Sequence, residues 1–255
     1  MEARVSKGSA PGGRRRPERA GFENGLADII EKSSRLMASR GFHGTSMREL
    51  AEATGRSLSG LYHYFRSKED LLYLINHHGF TALNGAWPRV AARFDDPHHR
   101  LYAFIYLHTH YYVAHIDAMR VMNWGTQALV PERAKTIRAL KDQHTADLSS
   151  TVREVVRASG QKAGGRRVER LTYLLFGMMN WVFGWYSTGV HGNVEALIDD
   201  IYRTFVGGVG SAGDGAPPVP AVRAAVRAAL SAPSAEPPAA EPPARRSGPS
   251  GRTRS

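Results

Sequence analysis

An all-α fold is predicted by three observations. Apolar side chains recur at three- and four-residue spacings through residues 23–210, no segment alternates apolar and polar residues as a half-buried strand does, and helix-start signals punctuate the chain. With 42% hydrophobic residues in 255, there is enough apolar surface for one or two cores.

The elements follow in order. Residues 24–39 place Leu26, Ile29, Ile30, Ser33, Leu36 and Met37 at helical spacing, and Gly41 ends the run. Ser46 with Glu49 forms a capping box for a short second helix that ends near Thr54 and Gly55. A third starts at Ser57 and runs into Tyr64 and Phe65, and Ser67 with Asp70 caps a fourth. Asp96 followed by Pro97 opens a helix whose stripe is Leu101, Phe104, Ile105, Tyr112, Met119 and Met122. Pro131 opens another that reaches Ser159 and Gly160, and helices over 166–186 and 194–206 complete the set.

Charge divides the chain further. The formal charge is +11, from 34 Lys and Arg against 23 Asp and Glu, and residues 1–22 and 211–255 hold most of the excess. Residues 211–255 are rich in Pro, Ala, Gly and Ser, too poor in large apolar groups to offset their ordering entropy, apart from a transient helix over 221–230. The expected organisation is a disordered basic arm (1–22), a small helical domain (23–72), a larger one (76–210) and a disordered tail (211–255). The tail reads as a solubilising appendage ahead of a second nucleic-acid contact.

Several classes are excluded early. The chain has no cysteine, so disulfides, thiolate metal sites and cysteine nucleophiles are absent. No apolar stretch follows the basic N-terminus, so no secretory signal is expected and the location expected is cytoplasmic. Residues 171–190 are twenty without a charge, the length of a bilayer span; Thr172, Asn180, Ser187, Thr188 and three glycines favour a helix buried by protein, and no membrane contact is expected. Among eleven histidines no i, i+4 pair with a nearby Glu occurs, and neither a phosphate loop nor a nucleophile elbow is found. No catalytic residue, metal or cofactor is assigned.

The informative stretch is 41–71. A short helix, a tight turn at Thr54, Gly55 and Arg56, and a second short helix make a helix-turn-helix, whose second helix fits the major groove of B-DNA. Gly55 permits the positive φ of the turn, Ala51 is small where the helices cross, and Leu50 and Leu61 are buried anchors. Ser57, Ser59, Tyr62, His63 and Tyr64 supply short or flat hydrogen-bonding groups on the exposed side. Residues 23–75 hold seven basic and seven acidic residues, but Arg40, Arg48, Arg56, Arg66 and Lys68 outnumber Glu49 and Glu52 around the motif. Arg14, Arg15 and Arg16 read either as an arm for the adjacent minor groove or as a solvated leader.

The run Thr45–Ser46, Leu50–Ala51, Ala53–Thr54–Gly55, Leu61 to Phe65, Lys68–Glu69 and Leu71 resembles the DNA-binding domain of the TetR (tetracycline-repressor) family of bacterial regulators, over roughly a fifth of the chain. The resemblance implies that Thr45 and Ser46 bond DNA phosphates, that Tyr62 and His63 reach phosphate oxygens from the recognition helix, and that Lys68 does so from the next helix. It puts Arg56, Ser57, Leu58 and Ser59 where base edges are read, and Phe65 in the core. Leu58 and Ser59–Gly60 depart from the commonest family pattern, so the operator sequence does not carry over.

One recognition helix reads half a site, so a double-stranded, palindromic operator calls for a homodimer. In the uncharged helix, Leu171, Leu174, Leu175, Met178, Val182 and Trp185 are expected inside the subunit. Tyr173, Gly177, Asn180 and Gly184 are expected against the second copy, joined by Ile198 and Tyr202. The resemblance agrees, since the last two long helices of the family commonly pair in a four-helix bundle. An effector pocket is expected from Phe104, His108, Tyr112, His115, Met119, Trp124, Met178, Trp181 and Trp185, although a plain core has the same composition. The MMNWVFGWYS run is similar to family members that sense acyl-CoA thioesters. The expected function is a ligand-responsive repressor; the alternative is a helical carrier or enzyme with a vestigial helix-turn-helix, and the salt dependence of duplex binding separates the two.

Overall fold

The computed structural model describes residues 15–124 and 128–210, and no strand occurs among them. Among the described residues ten α-helices follow one another: α1 (Arg15–Arg40), α2 (Met47–Thr54), α3 (Leu58–Tyr62), α4 (Lys68–Ala91), α5 (Pro97–Ala114), α6 (Ile116–Trp124), α7 (Pro131–Ala158), α8 (Gly165–Asn180), α9 (Thr188–His191) and α10 (Val194–Gly210). The expectations for residues 1–14, for the 211–255 tail with its transient helix and for the Trp124 side chain lie outside the described residues.

The caps form as the residue types dictate. Ser46 Oγ accepts the Glu49 amide while Glu49 accepts the Ser46 amide, and Ser67 and Asp96 cap α4 and α5. Gly41 and Gly55 take the left-handed conformation at φ 78° and 67°, ending α1 and α2 where a side chain would be strained.

Three boundaries differ from expectation. α1 begins at Arg15, so residues 15–22 are helix rather than arm; Pro17 sits in the first turn, where its missing N–H costs nothing. The helix expected to run through Met122 breaks at His115, whose φ of −124° and ψ of 38° divide α5 from α6. The helix expected over 166–186 stops at Asn180 and tightens into a 3-10 turn, Trp181–Gly184.

Two apolar clusters hold the fold. The first joins Ile29, Leu50, Leu61 and Leu71 of the N-terminal helices to Met119, Met122 and Ile137 further along; the second packs Trp87, Phe104, Leu148, Leu175 and Ile198. The boundary expected at 72–76 falls inside α4, which contributes to both clusters. Among the described residues no helix is long and apolar enough to cross a membrane; α8 buries Thr172, Leu175, Phe176 and Met179 along one side.

Candidate nucleic-acid interface

The helix-turn-helix is built by local bonds. The Arg56 amide returns to Ala51 O at 2.9 Å around Gly55, which turns the chain from α2 into α3. Ser57 then caps α3, its Oγ accepting the Gly60 amide at 3.0 Å and lying 3.1 Å from Ser59 Oγ. Leu50, Ala51, Leu61 and Phe65 are buried beneath, which fixes how the two helices cross.

On the outer side Ser57, Ser59, Tyr62 and His63 stand in solvent, with Tyr62 46% exposed. Exposed Arg48 and Arg66 flank them, and neither side chain has an ion pair among the described residues. These are exposed hydrogen-bonding and basic groups of the motif, and Glu52 of α2 is exposed with them. Arg40 pairs with Glu49, whose carboxyl is held below its usual range first by the Ser46 amide and hydroxyl, and also by Arg40.

The remaining predicted contacts are occupied by the fold. Thr45 is 2% exposed and donates its hydroxyl to Gly41 O at 2.9 Å, closing the C-terminus of α1 rather than facing outward. Ser46 Oγ donates to Glu49 Oε2 at 2.8 Å as part of its cap. Leu58 turns partly inward against the first cluster. Lys68 donates from Nζ to Phe42 O at 2.7 Å, with the ammonium 4.9 Å from the Phe42 ring centroid, so it fastens α4 to the loop after α1. Tyr64 stacks on Phe22, and the Arg56 guanidinium lies over the Tyr64 ring. Sequence reasoning missed that clasp, because its parts stand about forty residues apart; the signal was Gly25, where a Cβ would collide with Tyr64 Oη.

The residues expected to line an effector pocket are scattered. Phe104 is buried in the second cluster, Tyr112 and Met119 are buried in the first, and Met178 packs partly against the second. Trp181 and Trp185 are exposed, and His115 borders an open groove on α5. His108 is buried in a polar chain: its Nδ1 lies 2.9 Å from His144 Nε2 and its Nε2 lies 2.9 Å from Asn180 Oδ1. With the amide oxygen as acceptor, His108 carries its proton on Nε2 and receives one from His144 Nε2–H. Burial pushes His108 well below the usual imidazole range and His144 down to about 4, so both rings are neutral. Among the described residues no cluster of His, Asp or Glu could hold a metal ion.

The interface residues divide too. Tyr173, Gly177 and Gly184 are exposed, as an interface requires, whereas Asn180 bonds His108, Ile198 is buried and Tyr202 faces Tyr102 within the subunit. Leu174 and Trp185, expected inside, are exposed, Leu174 to 64% and neighbouring Trp181 to 65%. The segment is apolar on all sides, so its periodicity had no polar face to set the phase, and the tightening at Trp181 rotates the residues after it.

The chain is similar to known proteins in sequence and fold. The family described as bacterial regulatory proteins, tetR family, matches residues 29–75, and the tetracyclin repressor-like C-terminal domain matches residues 95–209. The HTH-type transcriptional repressor AcnR of Corynebacterium glutamicum is 40% identical over 48 residues, 19% of this chain and 26% of AcnR, so the chain spans about a quarter of that relative. The regulator PfmR from Thermus thermophilus superposes with a TM-score of 0.63 at 27% identity, over 70% of this chain and 96% of PfmR. AibR, crystallised with isovaleryl coenzyme A and operator DNA, superposes with a TM-score of 0.61 at 22% identity, over 71% of this chain and 97% of AibR.

Proposed function

Because the chain belongs to the TetR family of bacterial regulatory proteins, we propose that it is a dimeric, ligand-responsive DNA-binding repressor acting in the cytoplasm on a palindromic operator. The observation that carries the reading is the exposed side of α3, where Ser57, Ser59, Tyr62 and His63 face solvent, with Arg48 and Arg66 exposed and without an ion pair among the described residues. Short hydroxyls at a capped helix start suit base edges, and longer groups at its far end suit phosphates.

Dimerisation is supported by the exposed strip of Tyr173, Leu174, Gly177 and Trp181, which leaves apolar surface in water unless a second copy covers it. Two copies would set the recognition helices about 34–36 Å apart, one turn of DNA. The proposed effector is a hydrophobic small molecule or an acyl-CoA thioester, and the thioester bound by AibR makes that class the first to try. An effector releases the operator only to the extent that it prefers the non-binding spacing of the dimer.

Footprinting on the chain's own upstream DNA, repeated across a salt series, tests the reading. A protected palindrome is expected, with affinity falling steeply as salt rises because phosphate contacts release counterions. A flat salt profile, or no protected site, would refute it.

A further inference from the structure

An open groove of ≈ 1190 Å³ lies along the side of α5 that faces away from His108, bounded by the C-terminal end of α4 and by Tyr202 of α10. No acidic residue lines it. Its arginines are Arg89 and Arg93, four residues apart, and His98, His99, His110 and His115 also line it. Neither guanidinium has an ion pair or side-chain hydrogen bond among the described residues, whereas nearby Arg100 pairs with Glu154 at 3.2 Å.

Asp95 and Asp96 are the carboxylates nearest Arg93 in sequence, and neither pairs with it among the described residues. Asp96 accepts the amides of His98 and His99, and Asp199 accepts the Tyr102 hydroxyl and pairs with Arg203. A basic residue in the last turn of α4 is favoured by the helix dipole, which accounts for Arg89; Arg93 lies beyond the helix end, and that account does not extend to it. Between the charges the groove presents Val90, Ala103 and Leu107 with the half-exposed rings of Phe94 and Tyr106. Two free guanidiniums match phosphate or carboxylate oxygens in pairs, and the apolar stretch matches nothing polar.

We propose that this groove binds an anionic amphiphile, its phosphate or carboxylate head held by Arg89 and Arg93 and its apolar body lying on Phe94, Tyr106 and Leu107. The volume exceeds that of most small-ligand sites, so a head as large as a nucleotide is accommodated. At its inner end Tyr111, Ala114 and His115 belong both to this groove and to a smaller cleft of ≈ 350 Å³ against Ala27 and Glu31 of α1. A ligand filling that end meets residues that also touch the DNA-binding half, so the groove deepens the regulatory reading and rests on it only for the effect on DNA.

Calorimetric titration of the full chain with dodecanoyl-coenzyme A, dodecanoate, coenzyme A and 1-dodecanol tests the proposal, alongside Arg89→Gln/Arg93→Gln and Ala103→Phe. Saturable binding of dodecanoyl-coenzyme A is expected, weakened about tenfold or more by the arginine pair and by the filled floor, with 1-dodecanol the weakest probe. Dodecanoate binding without coenzyme A binding would assign the head to a carboxylate, and the converse to phosphates; both support an anionic site. Unchanged affinity in the folded arginine variant, dodecanol binding as tightly as the anions, or no anion binding would overturn it. Operator affinity measured with and without the bound probe separates the readings: groove binding that leaves the operator held defeats regulation through this site, and operator release that persists in the arginine variant defeats the groove.

Discussion

The ring of Tyr64 lies against that of Phe22, with centroids 4.8 Å apart and planes 15° from parallel. The Arg56 guanidinium stands 5.0 Å from the centroid of the same Tyr64 ring. This clasp sets the recognition helix against α1, and Gly25 leaves the room it needs.

Gly25→Ala therefore displaces Tyr64. Within a helix alanine is favoured over glycine by about 1 kcal/mol, so the fold is retained while operator affinity falls. Phe22→Ala forfeits a stacked pair worth about 1 kcal/mol and acts the same way. Fluorescence anisotropy on operator DNA, with thermal melts as control, checks both; unchanged affinity in the two variants would remove the clasp from DNA recognition.

Tyr62→Ala and His63→Ala are expected to weaken binding to every duplex alike and leave melting unchanged, since both side chains are exposed. Ser57→Ala removes a helix cap and costs about 1 kcal/mol as well as altering sequence preference. Lys68→Ala should lower the melting temperature along with affinity, because its ammonium holds Phe42 O. Melting that does not respond to Lys68→Ala would return that residue to the phosphate-contact role.

Leu174→Glu with Trp181→Glu places two carboxylates on the exposed strip of the α8 end. Sedimentation equilibrium should show monomers, and operator affinity should collapse because half-sites are then read singly. A variant that remains dimeric would move the interface elsewhere.

Acid should loosen the second core. His108 and His144 are neutral when folded, and their folded values lie below the usual 6.5. The unfolded chain consequently binds more protons below that value, so the stabilising contribution is complete above about pH 6.5 and is lost as pH falls toward 4, by about 1 kcal/mol per pH unit for each ring. His144→Gln should roughly halve the acid slope of the melting temperature. An identical slope in that variant would place the sensitivity in other groups.

Asp70 ties the start of α4 to α7, accepting the Arg66 amide at 2.9 Å and pairing with Arg133. Burial opposes its ionisation, yet the Arg66 amide and Arg133 hold its carboxyl below the usual range. A double-mutant cycle of Asp70→Asn and Arg133→Gln should return a coupling of about 0.2–1 kcal/mol, as for partly exposed pairs. Zero coupling would mean that the pair contributes nothing between the two elements.

The motif was legible because its determinants are local: Ser46 with Glu49, Gly55 and Ser57 each act within four residues of themselves. The uses of Tyr64 and Lys68 were not, since Phe22 and Phe42 reach them across roughly 25 to 40 residues of chain. His115 carries no proline or glycine to announce a break, and Asn180 ends α8 beside a bond to His108, 72 residues away. Tyr102, Tyr106 and Tyr111 of the groove belong to an aromatic-rich stretch that the sequence does display, whereas Arg89 and Arg93 sit in no motif that marks them as ligand groups.

Met119, Met122, Leu129 and Ile137 belong to the same core as Leu50 and Leu61. A chimaera that transplants residues 1–72 onto a foreign sensor would strip the recognition module of part of its apolar seat. Crossovers placed beyond residue 137 carry that seat along, and only those grafts should yield a well-folded reader of the parental operator.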